Sequence, residues 1–101
     1  MEGLWARFQP EICSRVAILE AAAASATTQT LGKTEREAAA AAAHKLAGVL
    51  GTFGLTRGTE LARQMELAFA GRVTPGTEAG TQLASIAAEL RSMVDGRKPA
   101  A

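Results

Sequence analysis

Large apolar residues recur every three or four positions along this chain, and this spacing is the strongest constraint on its fold. The first stripe consists of Trp5, Phe8, Ile12, Val16 and Leu19. Such a spacing places side chains on one face of an α-helix. Alanine, the strongest intrinsic helix former, makes up about a fifth of the residues. The alternating β-branched runs that are typical of strands are missing, so we expect an all-α protein.

Helix breakers and helix start signals divide this pattern into four segments. Pro10 lacks a backbone donor and clashes with the carbonyl four residues earlier, so we expect a short helical turn before it. Thr34 and Glu37 have the spacing of a capping box at a helix start. Gly54 suits the left-handed conformation that often follows a helix, and Gly71 is expected to end the next one. The predicted helices cover residues 10–26, 34–53, 55–70 and 77–94.

Each predicted helix carries one apolar stripe, and the connections between the helices are short. The economical arrangement is an antiparallel up-down four-helix bundle around a shared core, with the extra helical turn at the N-terminus. A chain of 101 residues has room for one such core. We assign residues 1–95 to this domain. Residues 96–101 are polar and rich in breakers, so we expect a flexible C-terminal tail there.

Composition and charge argue against several classes of function. Eleven basic residues balance ten acidic ones, for a net charge of +1, so we expect no nucleic-acid or anionic membrane partner. No apolar run approaches the ~20 residues of a membrane span, and the N-terminus does not resemble an export signal. The one cysteine, Cys13, has no internal disulfide partner and is expected to face the core. These features predict a small cytoplasmic domain.

His44 is the residue whose surroundings point most clearly to chemistry. Zinc requires three or four ligands, and the chain has one His and one Cys, so we expect no metal or other cofactor. On the same helix face as His44, the positions three and four residues before it and three, four and seven residues after it carry small residues, namely Ala40, Ala41, Ala47, Gly48 and Gly51. Each helical glycine costs about 1 kcal/mol relative to alanine. The glycines therefore indicate close approach of another body to the imidazole; the alternative is a solvated histidine beside glycines that serve helix packing.

The segment from Ala43 to Leu55, AHKLAGVLGTFGL, resembles the signature of histidine phosphotransfer (HPt) domains of two-component phosphorelays. Residues 61–66, LARQME, are similar to the following helix of that family, and residues 4–8 and 15–20 are also similar to it. The resemblance implies an antiparallel four-helix bundle. It also implies that His44 accepts a phosphoryl group from the aspartyl phosphate of a receiver domain and passes it reversibly to another receiver.

The resemblance implies supporting roles for residues around His44. Gly48 would leave space for the phosphoryl group and the partner. Glu66 would hydrogen-bond one ring nitrogen and fix the tautomer of the imidazole. Many family members place a lysine three residues after the histidine, where this chain has Ala47. Either Lys45 supplies the cation instead, or that role is unfilled.

Docking of a receiver requires an apolar patch beside the histidine with a polar rim. The residues expected to form this patch are Ala40, Ala41, Gly51, Ile12 and Leu67. The implied partners are receiver domains of response regulators or hybrid histidine kinases. A divalent cation is expected only in the receiver. By this resemblance the chain is a monomeric phosphocarrier without ATP binding or autonomous catalytic activity.

Two other classes of protein also place a histidine on a helical bundle. The dimerisation and phosphoacceptor domain of a sensor kinase usually follows its histidine with an acidic residue, whereas Lys45 follows His44 here. That class also builds its bundle from two chains of two helices. A helical adaptor, in the form of a degenerate HPt fold, would bind a receiver or kinase without carrying phosphate. Ala47, in place of a lysine, favours the adaptor.

Overall fold

The computed structural model describes residues 2–28, 30–71 and 77–96. This part of the chain forms four helices: α1 (Glu2–Thr27), α2 (Lys33–Thr52), α3 (Thr56–Ala70) and α4 (Thr77–Gly96). It contains no strand. Helix α2 packs against α1 and α3, and α4 packs against the same two helices, so the four helices enclose one core. The predicted all-α four-helix bundle is confirmed.

Apolar side chains from all four helices fill the core. The largest fully buried ones are Trp5, Ile12, Val16 and Leu19 of α1, Leu46 and Leu50 of α2, Leu61, Met65 and Phe69 of α3, and Leu90 and Val94 of α4. Cys13 is half-buried and packs against this core. No polar or charged residue is buried in the ranges described above. Hydrophobic burial therefore supplies the main driving force for the bundle.

Helix α1 continues through Pro10, so the prediction of a separate helical turn before it is wrong. Pro10 is exposed, while Trp5 and Ile12 on either side of it are fully buried. A break at Pro10 would turn Trp5 away from the core. Burial of a large apolar side chain contributes about 3 kcal/mol, which is similar to the cost of a proline inside a helix. Tertiary packing thus offsets the local preference for a break.

The start of α2 also differs from the prediction. Helix α2 begins before Thr34, with Gly32 as its N-cap residue, and no side chain caps the backbone there. The capping box of Thr34 and Glu37 is therefore wrong. The carboxylate of Glu35 instead accepts a 2.9 Å hydrogen bond from Ser25 Oγ near the end of α1. This contact joins the end of α1 to the first turn of α2, where the helix dipole favours an acidic residue.

The end of α2 forms as predicted, with Gly54 in the left-handed region at φ +73°. The Leu55 N–H donates to the Leu50 carbonyl at 3.0 Å, and the Gly54 N–H donates to the Gly51 carbonyl at 3.0 Å. These are the two hydrogen bonds of a Schellman motif. The motif reverses the chain within a few residues, so that α3 returns antiparallel along α2.

Helix α4 extends to Gly96, two residues beyond the predicted end at Val94. Gly96, the first residue of the predicted tail, is thus helical. Residues 97–101 and the predicted turn at 72–76 lie outside the described residues, so the division of the chain at position 95 stays a prediction. None of the helices described is long and apolar enough to cross a membrane.

Replacing Pro10 by alanine should stabilise the protein, because it returns a backbone N–H to the interior of α1 and removes the clash of the ring. We expect the free energy of unfolding, measured by urea denaturation, to rise by about 1–3 kcal/mol. The matched control is Gln9→Ala, which leaves the backbone donors unchanged and should shift this value by less than about 0.5 kcal/mol. A less stable Pro10→Ala variant would contradict a continuous α1.

Candidate functional site

His44 lies in the middle of α2, and its side chain is 71% exposed. Its neighbours Ala43, Leu46 and Ala47 are 0–2% exposed. These three residues form the face of α2 that packs against the core. Position 44 lies outside that face, so its side chain is directed towards solvent. The exposed imidazole follows directly from the apolar pattern of α2.

Glu66 of α3 holds the imidazole from one side. Its Oε2 lies 2.8 Å from His44 Nδ1, and its side chain is 27% exposed. An ionised carboxylate only accepts hydrogen bonds, so Nδ1 carries the proton in this contact. In the neutral ring the lone pair then lies on Nε2, which faces away from Glu66 on the opposite edge. The hydrogen bond expected from the resemblance is therefore present, and it leaves Nε2 as the ring nitrogen with the free lone pair.

The surface of α2 beside His44 is open at its two glycines. A Cβ atom at Gly48 would have no neighbour within 4 Å, and one at Gly51 would meet Thr59 Oγ1 at 3.5 Å. At Gly58, by contrast, a Cβ would come within 2.9 Å of Leu50 Cδ1. Close packing within the protein thus explains Gly58 but gives no reason for Gly48. The exposed Gly48 keeps free the space next to the imidazole.

An open groove of about 490 Å³ runs between α1 and α2 beside His44. We call it the α1–α2 groove, and its lining consists of Phe8, Glu11, Arg15, His44, Lys45, Gly48, Val49 and Thr52. Arg15 Nη2 donates a 2.5 Å hydrogen bond to Glu11 Oε1. Arg15 and Glu11 were not predicted as site residues, because they lie far from His44 in sequence and line the same groove only through the packing of α1 on α2. The one signal in the sequence is their position on the flank of the buried α1 stripe.

The structure places the predicted docking residues in different environments. Ile12 is 0% exposed and belongs to the core, so its assignment to a docking surface is wrong. The reason is its place in the apolar stripe of α1. Ala41 and Gly51 are exposed and Ala40 is half-buried, all on α2. Leu67 is 74% exposed on α3, next to Glu66 and outside the α1–α2 groove.

Cationic side chains near His44 come from the groove rather than from position 47. Ala47 is 2% exposed, and its carbonyl accepts a 3.4 Å hydrogen bond from Thr59 Oγ1. Lys45 is exposed and lines the groove together with Arg15. Across the described ranges, no three His, Cys, Asp or Glu side chains come close enough to hold a metal ion. The site thus combines one exposed imidazole, a carboxylate that is hydrogen-bonded to it, and two cationic side chains that line the same groove.

Comparison with known proteins agrees with this geometry. The model of the Hpt domain family matches residues 3–98. The chain belongs to the Hpt domain family. Protein RcaC of Microchaete diplosiphon is 38% identical over 68 residues, which cover 67% of this chain and 10% of RcaC. No solved structure matches significantly.

Membership of the family establishes a general role in histidine phosphotransfer within phosphorelay signalling. Hpt domains are phosphocarriers rather than enzymes in their own right. The sensor-kinase alternative assembles its bundle from two chains, whereas a single chain supplies all four helices around the core of this Hpt domain. The match spans about a tenth of RcaC, so nothing about the remainder of that protein transfers to this chain.

Replacing Gly48 by alanine should separate stability from function in this Hpt domain. We expect the free energy of unfolding to rise by about 0.5–1 kcal/mol, because alanine favours the helix and its methyl group meets no other atom. Phosphotransfer should become slower by about tenfold, since the methyl group occupies the space beside the imidazole. Urea denaturation and the rate of phosphohistidine formation measure the two effects.

The matched contrast is Gly80→Ala, because a methyl group at Gly80 would overlap backbone atoms of Thr27. That variant should lose stability while its residual folded fraction retains normal phosphotransfer. A Gly48→Ala variant with both greater stability and an unchanged transfer rate would show that Gly48 does not serve the approach of a partner.

Proposed function

We propose that His44 is the phosphoacceptor of this Hpt domain, and that it receives a phosphoryl group from the aspartyl phosphate of a receiver domain. The observation that carries the proposal is the 2.8 Å contact between His44 Nδ1 and Glu66 Oε2 on an otherwise exposed imidazole. It leaves Nε2 unprotonated and directed away from α3, where an incoming phosphorus atom can reach it in line.

In the transfer step this chain supplies the nucleophilic imidazole and the carboxylate that orients it. The Nε2 lone pair forms a bond to phosphorus as the bond from phosphorus to the aspartate oxygen breaks, and the carboxylate leaves with that electron pair. Positive charge develops on the ring, and the Glu66 carboxylate at Nδ1 stabilises it. The Nδ1 proton can then pass through Glu66 to water. In the return step Nδ1 regains a proton from water through Glu66, and an aspartate oxygen of another receiver attacks phosphorus. The bond from phosphorus to Nε2 breaks, its electron pair returns to Nε2, and neutral imidazole is restored.

The receiver supplies the remaining groups in this proposal, including the divalent cation in its own acidic pocket. The chain contributes a docking surface of small side chains around the imidazole, of which Ala41, Gly48 and Gly51 are exposed. Shape rather than a large apolar patch would allow a receiver to bring its phosphoaspartate within bonding distance of His44. The proposal includes that the domain acts as a monomer in the cytoplasm.

A second candidate is a degenerate adaptor that binds a receiver or kinase without accepting phosphate. The observation in its favour is the buried Ala47, which leaves position 47 without a cation. The exposed imidazole, its carboxylate and the open surface at Gly48 favour the phosphoacceptor, because simple binding requires none of the three.

Incubation with purified receiver domains, each charged with ³²P-labelled acetyl phosphate, distinguishes these two candidates. We expect acid-labile, base-stable label on the wild-type protein and none on His44→Gln. The variant should fold normally, because the side chain is 71% exposed, and circular dichroism with urea denaturation provides that control. Label on His44→Gln would contradict the phosphoacceptor assignment. Binding of a receiver by the wild-type protein without any labelling would establish the adaptor.

Truncation of Glu66 should slow transfer without weakening receiver binding, because its carboxylate contacts the ring and lies outside the α1–α2 groove. We expect Glu66→Ala to lower the transfer rate at saturating receiver by about tenfold. Glu66→Gln should fall between it and the wild type, since an amide oxygen accepts the same hydrogen bond but carries no charge.

The matched control is Glu60→Gln, which removes an exposed carboxylate of α3 that does not contact His44 and should leave the rate unchanged. Rapid-quench measurements over a range of receiver concentrations separate the maximal rate from the half-saturating concentration. An effect of Glu66→Ala on half-saturation alone would show that Glu66 acts in docking rather than on the imidazole.

A further inference from the structure

Arg15 is the less exposed of the two basic residues that line the α1–α2 groove. It extends from α1 towards the surface that carries His44, and its side chain is 17% exposed. Lys45, the other cation of the groove, is exposed. The 2.5 Å contact with Glu11 uses Nη2, which is one of several N–H groups on the guanidinium. Arg15 is therefore held near the site and keeps donors for another acceptor.

A phosphoryl group on Nε2 would create a need for positive charge at this place. It carries up to two negative charges at neutral pH. Two carboxylates already flank the site, with Glu66 against Nδ1 and Glu11 in the groove. Without a cation, both would repel the phosphoryl group. The planar guanidinium of Arg15 matches two phosphoryl oxygens at once, whereas the ammonium of Lys45 is a point charge on a flexible stem.

We propose that Arg15 binds the phosphoryl group on His44, exchanging the carboxylate of Glu11 for phosphoryl oxygens when the histidine is phosphorylated. This inference rests on the proposed function of His44. The exchange conserves the ion pair of Arg15 while relieving the repulsion between Glu11 and the phosphoryl group by movement of one side chain. Glu11 thus competes with the phosphoryl group for Arg15.

Because Glu11 and the phosphoryl group compete for Arg15, substitutions of Glu11 and of Arg15 should have opposite effects on binding of the phosphoryl group. Arg15→Gln removes the cation, so it should weaken binding of the phosphoryl group. Glu11→Gln removes the competing carboxylate and frees Arg15, so it should strengthen that binding. A purely structural role of the pair would make both variants behave alike, because each breaks the same contact. Both should remain folded, because a pair four residues apart on a helix contributes little to stability.

Phosphoramidate serves as the phosphoryl donor in the test, because it reacts without a docked protein. Nε2 forms its bond to phosphorus while the phosphorus–nitrogen bond of the donor breaks, and ammonia leaves with the electron pair and a proton. The readouts are the initial rate of phosphohistidine formation and a ³¹P NMR titration of the product. The titration reports the pKa of the phosphoryl group, which a neighbouring cation lowers because it favours the dianion.

We expect Arg15→Gln to lower the rate by about fivefold and to raise the phosphoryl pKa relative to the wild type. Glu11→Gln should change both quantities in the opposite direction, and Arg15→Lys should restore part of the effect. The control Arg7→Gln removes the same charge from an exposed position on α1 outside the groove and should match the wild type.

Equal rates and titrations in wild type and Arg15→Gln would overturn the assignment of Arg15. A larger effect of Lys45→Gln than of Arg15→Gln would also overturn it and would make Lys45 the cation. Phosphohistidine that forms in Arg15→Gln but not in His44→Gln leaves the proposed function intact in either case. Failure of the wild-type protein to form phosphohistidine would contradict the phosphoacceptor assignment as well.

Discussion

The register of α2 against the core is the constraint on which the site depends. Burial of Ala43, Leu46, Ala47 and Leu50 fixes the rotation of the helix about its axis. That rotation leaves position 44 facing solvent and position 48 one turn further along the same exposed strip. A single hydrophobic face thus does two things: it holds the bundle together and it presents the imidazole. A change that rotated α2 would remove the site even if the fold survived.

The turn between α2 and α3 converts this exposed imidazole into an oriented one. The left-handed Gly54 and the two hydrogen bonds of the Schellman motif return α3 along α2. Helix α3 in turn buries Met65, and the next residue, Glu66, reaches His44 Nδ1. Backbone geometry at the end of one helix therefore selects which nitrogen of the histidine is free. The carboxylate also prevents the ring from turning Nδ1 to the partner.

Periodicity predicted most of the fold because burial alone decides which face of each helix points inwards. It failed where a local preference competed with a tertiary contact. Pro10 was expected to break α1, yet the buried Trp5 keeps the helix continuous. Thr34 was expected to cap α2, yet Gly32 is the N-cap residue, and the first turn is tied to α1 by the hydrogen bond from Ser25 to Glu35. Helix propensity and capping each contribute about 1–3 kcal/mol, which the packing of one large side chain equals.

Some residues of the candidate site could likewise be predicted from the sequence, whereas others depend on how the helices pack. His44 and its flanking glycines could be singled out from the pattern of small residues along α2, and the pairing with Glu66 followed from the resemblance to HPt domains. Arg15 could not be predicted, because its distance from the imidazole depends on how α1 packs across α2. Gly48 shows why such a surface is retained: alanine would stabilise the helix and touches nothing there, so stability alone gives no reason for glycine. The absence of a side chain at Gly48 is accounted for by the proposed complex, in which a receiver brings phosphorus to Nε2 of His44.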